Sequence, residues 1–251
     1  MIGSGNAAAV LGRKFKAAGH QIMQVYGRQP TAASALAYEW DTESTNYTSL
    51  INPDADVYIV AVSDNAVPEL ASQIKLPGKI VAHTAASVPA SVLSAVTEHY
   101  GVFYPLQSLR RESTQLPEIP IFWDAATPRA KMVLQELAGS ISAGVPIVAD
   151  DEARRKLHLA AVLVNNFVNH LYTLAQSYCE KEGINFKQLL PLIDETAQRV
   201  HHLSPHLAQT GPASRHDQDT LQSHRTLLER HPALKQVYEL MTESIQNNAG
   251  K

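Results

Sequence analysis

Cysteine is almost absent from this 251-residue chain, where Cys179 stands alone. One thiol closes no internal disulfide, so a stapled extracellular scaffold is excluded and a reducing compartment, the cytoplasm, is expected. The same scarcity removes any cysteine framework for structural zinc. An excess of one charge is also lacking: Lys and Arg total 21 against 24 Asp and Glu, a formal net charge of -3. That balance argues against nucleic acid and against a polybasic membrane surface as partners. No apolar run approaches the roughly 18 residues that would span a bilayer. No basic segment followed by an apolar stretch marks a secretory leader. What is present is 45% hydrophobic and 18% charged residues, the composition of a chain that buries a core. Its length allows one large domain or two modest ones.

Short β-like runs alternate with helical stretches over the first 150 residues. Asp56 to Val62 is apolar almost throughout, as a strand covered on both faces should be. Similar runs are Gln21 to Tyr26, Lys79 to His83, Gly101 to Tyr104, Ile119 to Trp123 and Val145 to Val148. Between them lie helical stretches at Ala7 to Ala18, Thr31 to Trp40, Ala66 to Ile74, Ala90 to His99 and Thr127 to Gly139. This alternation predicts an α/β fold, a Rossmann-like doubly wound and mainly parallel sheet. Residues 151–251 show no strand pattern and predict an all-helical C-terminal domain. Its first helix, capped by Asp150 or Asp151, runs to about Glu182, where Gly183 stops it. Further helices are expected at Asn185 to His202, Gln218 to Arg230 and Pro232 to Gln246, with Leu203 to Asp217 as a loop or broken helix. The long helix is apolar nearly all round, which calls for cover from a second subunit and predicts a homodimer through the C-terminal helices.

The chain opens Met1-Ile2-Gly3-Ser4-Gly5-Asn6-Ala7-Ala8, a match to G-x-G-x-x-A. Such a motif needs a tight turn at Gly3, no Cβ at Gly5 where backbone approaches a diphosphate, and a small residue at Ala8 for close helix packing. Free amides from Ser4 through Asn6 and Ala7 then face negative charge at a helix N-terminus. The alternative is a glycine-rich turn with no ligand. Only Met1 and Ile2 precede Gly3, although the first strand of a doubly wound sheet is central. Either the true start lies several residues upstream, or a very short strand suffices. An acid about 20 positions after the glycines would favour NAD. Here the second strand leads into Gly27-Arg28-Gln29, and Arg28 can hold the 2′-phosphate of NADP through a charge-assisted fork. A solvated surface arginine is the plainer reading.

The cofactor is expected at the carboxyl ends of the strands, where Ala61, Val62 and Ser63 follow the strongest strand. Ser63 and Asp64 also suit a helix N-cap. His83 ends the next strand and is a candidate proton donor beside a nicotinamide; the alternative is a ring hydrogen-bonded to backbone.

Taken together these residues resemble the NADP-binding families that include pyrroline-5-carboxylate reductase and the deazaflavin-dependent NADP oxidoreductases. A closer resemblance, over nearly the whole chain, is to a family of candidate NADP oxidoreductases in which a Rossmann-like domain precedes a helical domain of unassigned function. It is carried by Gly3-Ser4-Gly5-Asn6, Val62 to Ala66, His83 to Ser87, Tyr104 to Ser108, His158 to Ala161 with Asn166, and Thr210 to Asp217. The resemblance implies NADP as cofactor, a small-molecule substrate, and a C-terminal domain like that of 6-phosphogluconate dehydrogenase.

On an ideal helix Asn165 and Asn169 project within about 20° of His158, and Asn166 about 80° round. This polar arc is read as a substrate site involving His158 and Asn166, or as a hydrogen-bonded subunit contact. Related hydroxyacid dehydrogenases carry a lysine four residues before an asparagine; Val162 and Asn165 occupy those places before Asn166 and Asn169. The proton donor would therefore be His83 or His158. Arg215 is a possible carboxylate clamp or simply a partner for an acid, with Asp217 capping the following helix. His201, His202 and His206 lack a metal-binding pattern, and no metal is expected. The leading reading is an NADP(H)-dependent oxidoreductase that moves hydride to or from a small polar carbonyl or imine. Its rival is a non-catalytic dinucleotide-binding sensor or scaffold. Reduction of NADP by a deazaflavin coenzyme is a further alternative, without a sequence feature of its own.

Overall fold

Apolar strands alternating with amphipathic helices need cover on both faces of a sheet, and the amino-terminal part of the chain builds that arrangement. The structure, a computed structural model, describes residues 1–113 and 115–248. Its contacts divide into two units, Met1–Asn165 and Asn166–Lys251. The first contains α1 (Asn6–Ala17), β1 (Gln24–Tyr26), α2 (Pro30–Trp40), β2 (Glu43–Thr45), β3 (Val57–Val60), α3 (Ala66–Gln73) and β4 (Ile80–His83). It continues with β5 (Tyr100–Pro105), β6 (Ile121–Ala125), α4 (Pro128–Ile141), β7 (Ile147–Val148) and α5 (Asp151–Ala161). The helix expected to open the second domain at residue 151 thus begins within the first contact unit.

β3, β4, β5, β6 and β7 lie side by side in that order, and β1 pairs with β2. Ile2 joins the two groups through parallel bridges to Tyr26 and Val60. The order is therefore β2-β1-Ile2-β3-β4-β5-β6-β7, doubly wound about Ile2. All pairings are parallel except β5 with β6. A single bridging residue serves as the central strand because both neighbours satisfy its backbone. Ile2 N–H donates to Ile59 O at 2.8 Å, and Ala61 N–H donates to Ile2 O at 2.7 Å. On the other side Tyr26 N–H donates to Met1 O at 2.9 Å, and Gly3 N–H donates to Tyr26 O at 2.7 Å.

Strand alternation sorts the core. Ile59, Ala82 and Phe103 pack with Val10, Leu11 and Phe15 of α1 and Leu134 of α4. Tyr58, Val60 and Val81 pack on the other face with Val67 and Leu70 of α3. Each such buried aliphatic or aromatic side chain contributes about 1.5–3 kcal/mol.

One expectation fails in this unit, and one strand was not foreseen. The helix expected at Ala90 to His99 is only a 3₁₀ turn, Ala90–Leu93. Thr97 draws the rest away: its hydroxyl donates to Lys79 O at 2.7 Å and accepts from His99 N–H at 3.1 Å, a local competition that ends helices. β2 had no strand signature, because Glu43-Ser44-Thr45 is a short polar edge with no apolar face.

The second unit is helical among its described residues: α6 (Val168–Lys181), α7 (Leu190–Arg199), α8 (Pro205–Ala208), α9 (Gln218–Leu227) and α10 (Pro232–Asn248). Gly183 ends α6 at φ 71°, with Ile184 N–H returning to Cys179 O at 2.8 Å, a glycine C-cap. His231 Nε2 meets Glu182 Oε1 at 2.7 Å, and Tyr178 packs edge-on against the same imidazole. Between α5 and α6 the chain stays helical but widens into a π turn, Val162–Phe167.

Candidate functional site

In a doubly wound sheet the ligand site lies beyond the carboxyl ends of the strands, where strand order reverses. Here that point falls between Ile2 and β3. Gly3 sits there at φ 126°, and a Cβ on it would stand 2.1 Å from Ala61 O. Only glycine therefore lets the chain turn this closely over β3. Ala8 and Ala9 are fully buried and allow α1 to close on β1 and Ala61. A Cβ on Gly27 would come within 2.6 Å of Ser4 Oγ, so the ends of Ile2 and β1 also touch.

The turn opens onto a cavity of about 330 Å³, lined by Gly3, Ser4, Gly5, Arg28, Ala61, Val62 and Ser63. Seven of the nine expected cofactor residues thus surround one space. The other two, Asn6 and Ala7, are the first residues of α1, and the Asn6 carboxamide accepts from Arg111 N–H at 3.4 Å. Two observations fit this cradle to a diphosphate. Gly5, the N-cap of α1, has open space where a side chain would be. No side chain caps α1 and its first turn holds no acid, so its leading amides are available to an anion. At the far side of the cavity Arg28 Nη1 lies 3.7 Å from Glu69 Oε2, with both side chains more than half exposed. The sequence reading did not single out Glu69, although it falls on the first turn of α3.

A second cavity, of about 230 Å³, lies at the opposite ends of the strands, against Met1, Phe15, Met23 and Val57. It is at the wrong edge of a parallel sheet for a cofactor.

Ser63 and Asp64 do not cap α3, as had been considered. Its N-cap is Asn65, without a side-chain bond. Asp64 instead accepts from Ser87 N–H at 3.4 Å and so joins the loops after β3 and β4.

His83 sits as its alternative reading had it, with its ring hydrogen-bonded to backbone. Its side chain is fully buried; Nδ1 accepts from Ala85 N–H at 3.2 Å and Nε2 meets Pro89 O at 3.3 Å. Burial, helped by the nearby Arg154 charge, pushes its pKa down to about 4. A neutral imidazole with both nitrogens engaged shapes the loop after β4.

That loop has a second anchor which the sequence reading missed. Arg154 of α5 is buried, donating from Nε to Ala86 O at 3.0 Å and from Nη2 to Val88 O at 2.6 Å and Asp151 Oδ1 at 2.7 Å. Asp151 Oδ1 also accepts from Ala90 N–H at 3.1 Å. Partial burial opposes ionisation of Asp151, but Arg154 and the Ala90 amide together hold its carboxyl below the usual range. Asp150 caps the same helix by accepting from Ala153 N–H at 2.8 Å, worth about 1 kcal/mol. The missed signal was a charged residue, Arg154, three positions before Leu157 on the inward stripe of α5.

His158 lies one turn beyond Arg154, half-buried, with Nδ1 3.1 Å from the hydroxyl of Tyr104. The polar arc computed for a straight helix does not hold, because the π turn at Val162–Phe167 breaks the 3.6-residue period between His158 and Asn165 or Asn169. His158 belongs to the first contact unit and Asn166, exposed on the π turn, to the second. In that second unit Asp217 does cap α9, accepting from Thr220 N–H at 3.1 Å, while Arg215 is exposed.

Residues 119–245 match the model of a domain of unknown function, DUF2520. Residues 1–87 match the domain described as NADP oxidoreductase, coenzyme F420-dependent. Among curated proteins none matches the chain. The crystal structure of a candidate NADP oxidoreductase from Bacteroides fragilis is 39% identical, with TM-score 0.90, over 98% of this chain and 96% of that one. A Thermotoga maritima protein shares the fold at 18% identity and TM-score 0.81, over the full length of both chains. A reductive aminase from Aspergillus terreus, solved with NADPH and ethyl levulinate, shares it at 17% identity and TM-score 0.73, over 99% of this chain and 93% of that one. With the glycine turn, the Arg28 cavity and these full-length matches together, the chain belongs to the family of NADP-dependent oxidoreductases that carry an amino-terminal NADP oxidoreductase domain and a carboxy-terminal DUF2520 domain.

Proposed function

We propose that this protein transfers hydride between NADP(H) and a small polar carbonyl or imine compound. The observation that carries the reading is the uncapped start of α1 beside Gly5, open to a cavity with Arg28 at its far side. The amides from Ser4 to Ala7 hold the diphosphate, Arg28 the 2′-phosphate, and the backbone of Ala61, Val62 and Ser63 the ribose side. The cofactor supplies the hydride chemistry; the protein supplies orientation, a dry surface and a proton. His158 serves substrate at the carboxyl edge of the sheet. His83 keeps the loop after β4 in place. The shared fold with a reductive aminase supports the carbonyl or imine class.

The working form in this reading is a cytoplasmic homodimer. Leu159, Val164 and Phe167 are 63%, 75% and 57% exposed on one continuous helix, and a second copy of the chain would cover them. Cys179, lone and buried, suits a reducing compartment. Light scattering on a dilute sample checks the dimer; a monomer contradicts it. For the activity, calorimetry with NADPH and NADH is followed by a panel of carbonyl, imine and hydroxyacid substrates. Tight NADPH binding with turnover is expected. Binding without turnover across the panel would favour a sensor or scaffold.

A further inference from the structure

Tyr104 has no place in the nucleotide cradle, yet it stands at the edge where the strand ends converge. Its ring is buried among Ala86, Val102 and Leu157. β5 places it: Val102 pairs with His83, so Tyr104, two residues on, emerges on the same face just past the end of β4. α5 places its partner. Arg154 pins that helix to the Ala86 and Val88 carbonyls, and His158 follows one turn later. The Tyr104 hydroxyl then meets His158 Nδ1 at 3.1 Å, with the two rings edge to face and 6.2 Å apart. A buried phenol needs some partner. This one has an imidazole ring that is itself only half-buried.

We propose that Tyr104 and His158 form a proton relay, with the tyrosine hydroxyl as the catalytic donor to substrate and the histidine as the group that reloads it. The inference rests on the hydride-transfer reading above. When a carbonyl or imine carbon gains hydride from a reduced nicotinamide, its oxygen or nitrogen must gain a proton. The Tyr104 O–H bond breaks as an O–H or N–H bond forms on substrate. The phenolate takes the proton from His158 Nδ1, and His158 Nε2 takes one from water. In the oxidative direction each transfer reverses. Burial, with Asp64 adding to it and Arg154 opposing, raises the pKa of the Tyr104 hydroxyl, so the donor is loaded at neutral pH. The charged groups facing the pair are Asp64, from the loop after β3, and Arg154, from α5; His83, at the end of β4, is held neutral.

The test uses Tyr104→Phe and His158→Gln in the full chain. Tyr104→Phe should lower NADPH-driven reduction about a hundredfold or more while NADPH affinity stays unchanged. His158→Gln should keep the fold and shift the pH profile of turnover. A second readout needs no substrate: nitrogen-15 NMR of labelled histidine should show the His158 Nδ1 signal changing in Tyr104→Phe, because that nitrogen loses its hydroxyl partner. Intact turnover in Tyr104→Phe, or a His158 Nδ1 signal that does not change, overturns the relay. Wild-type protein that binds NADPH but reduces no member of the panel overturns the hydride-transfer reading instead. The nitrogen spectrum then still decides whether Tyr104 and His158 are coupled.

Discussion

Removing the Arg28 guanidinium should weaken NADPH and spare NADH. Two side chains that line the cavity, Arg28 and Glu69, are 3.7 Å apart and 68% and 61% exposed. Water screens such a pair, which is worth at most about 1 kcal/mol. A 2′-phosphate brings more charge and can take two parallel hydrogen bonds, an interaction of about 1.5–3 kcal/mol. Giving up the Glu69 contact subtracts up to about 1 kcal/mol from that gain. The remainder, about 0.5–3 kcal/mol, corresponds to a loss of about two- to 150-fold in NADPH affinity for Arg28→Ala. NADH, which lacks the phosphate, should change by less than about twofold. Glu69→Gln should act in the opposite sense, because it removes a carboxylate that competes with the phosphate, and should tighten NADPH by up to about fivefold. Calorimetry at two salt concentrations reads all of this, and both effects should shrink at high salt. Equal weakening of NADPH and NADH, or no response of NADPH to either substitution, would refute the placement of the 2′-phosphate at Arg28.

Gly3→Ala should destabilise the amino-terminal unit by about 3 kcal/mol, because its Cβ would stand 2.1 Å from Ala61 O at a φ of 126°; urea unfolding checks this, and an unchanged midpoint contradicts it. His83 has a folded-state pKa of about 4 against about 6.5 when unfolded. The unfolded chain therefore binds the extra proton first, and stability falls as pH drops from about 6.5 toward 4, by about 3 kcal/mol. His83→Gln should remove that part of the slope, and unfolding curves at pH 7 and pH 4.5 test it. Arg154→Ala should cost about 3–5 kcal/mol, since it strands the Ala86 and Val88 carbonyls and the Asp151 carboxylate; a loss below about 1 kcal/mol in thermal or urea unfolding would show that the loop after β4 has other support.

The glycine turn and the cavity beside it were legible because their constraints are local. Gly3, Gly5 and Ala8 each answer a steric demand that can be stated without knowing any neighbour, and Arg28 follows a strand whose apolar run marks its end. The helix to strand alternation was legible for the same reason. β2 was not, because an edge strand of Glu43, Ser44 and Thr45 gains its place from β1 and not from its own pattern. The segment after Leu93 was misread because the Thr97 hydroxyl bonds to a carbonyl eighteen residues back. The polar arc on the long helix assumed one uniform period, and the π turn at Val162–Phe167 removed it. The position of His83 at a strand end was legible, but its burial and two hydrogen bonds depend on the path of the loop after β4. Tyr104 and His158 are 54 residues apart, so their contact needed the strand order and the anchoring of α5 by Arg154. Arg154 itself showed only as a charge on an inward stripe.

The proton–nitrogen spectrum of the labelled full chain, titrated with NADPH, probes the diphosphate cradle at the atoms that form it. The amide signals of Ser4, Gly5, Asn6 and Ala7 should show the largest shifts, saturating together with those of Gly27 and Arg28. Saturating NADPH and NADH that leave these amides unmoved would contradict the assignment of the cofactor to this turn.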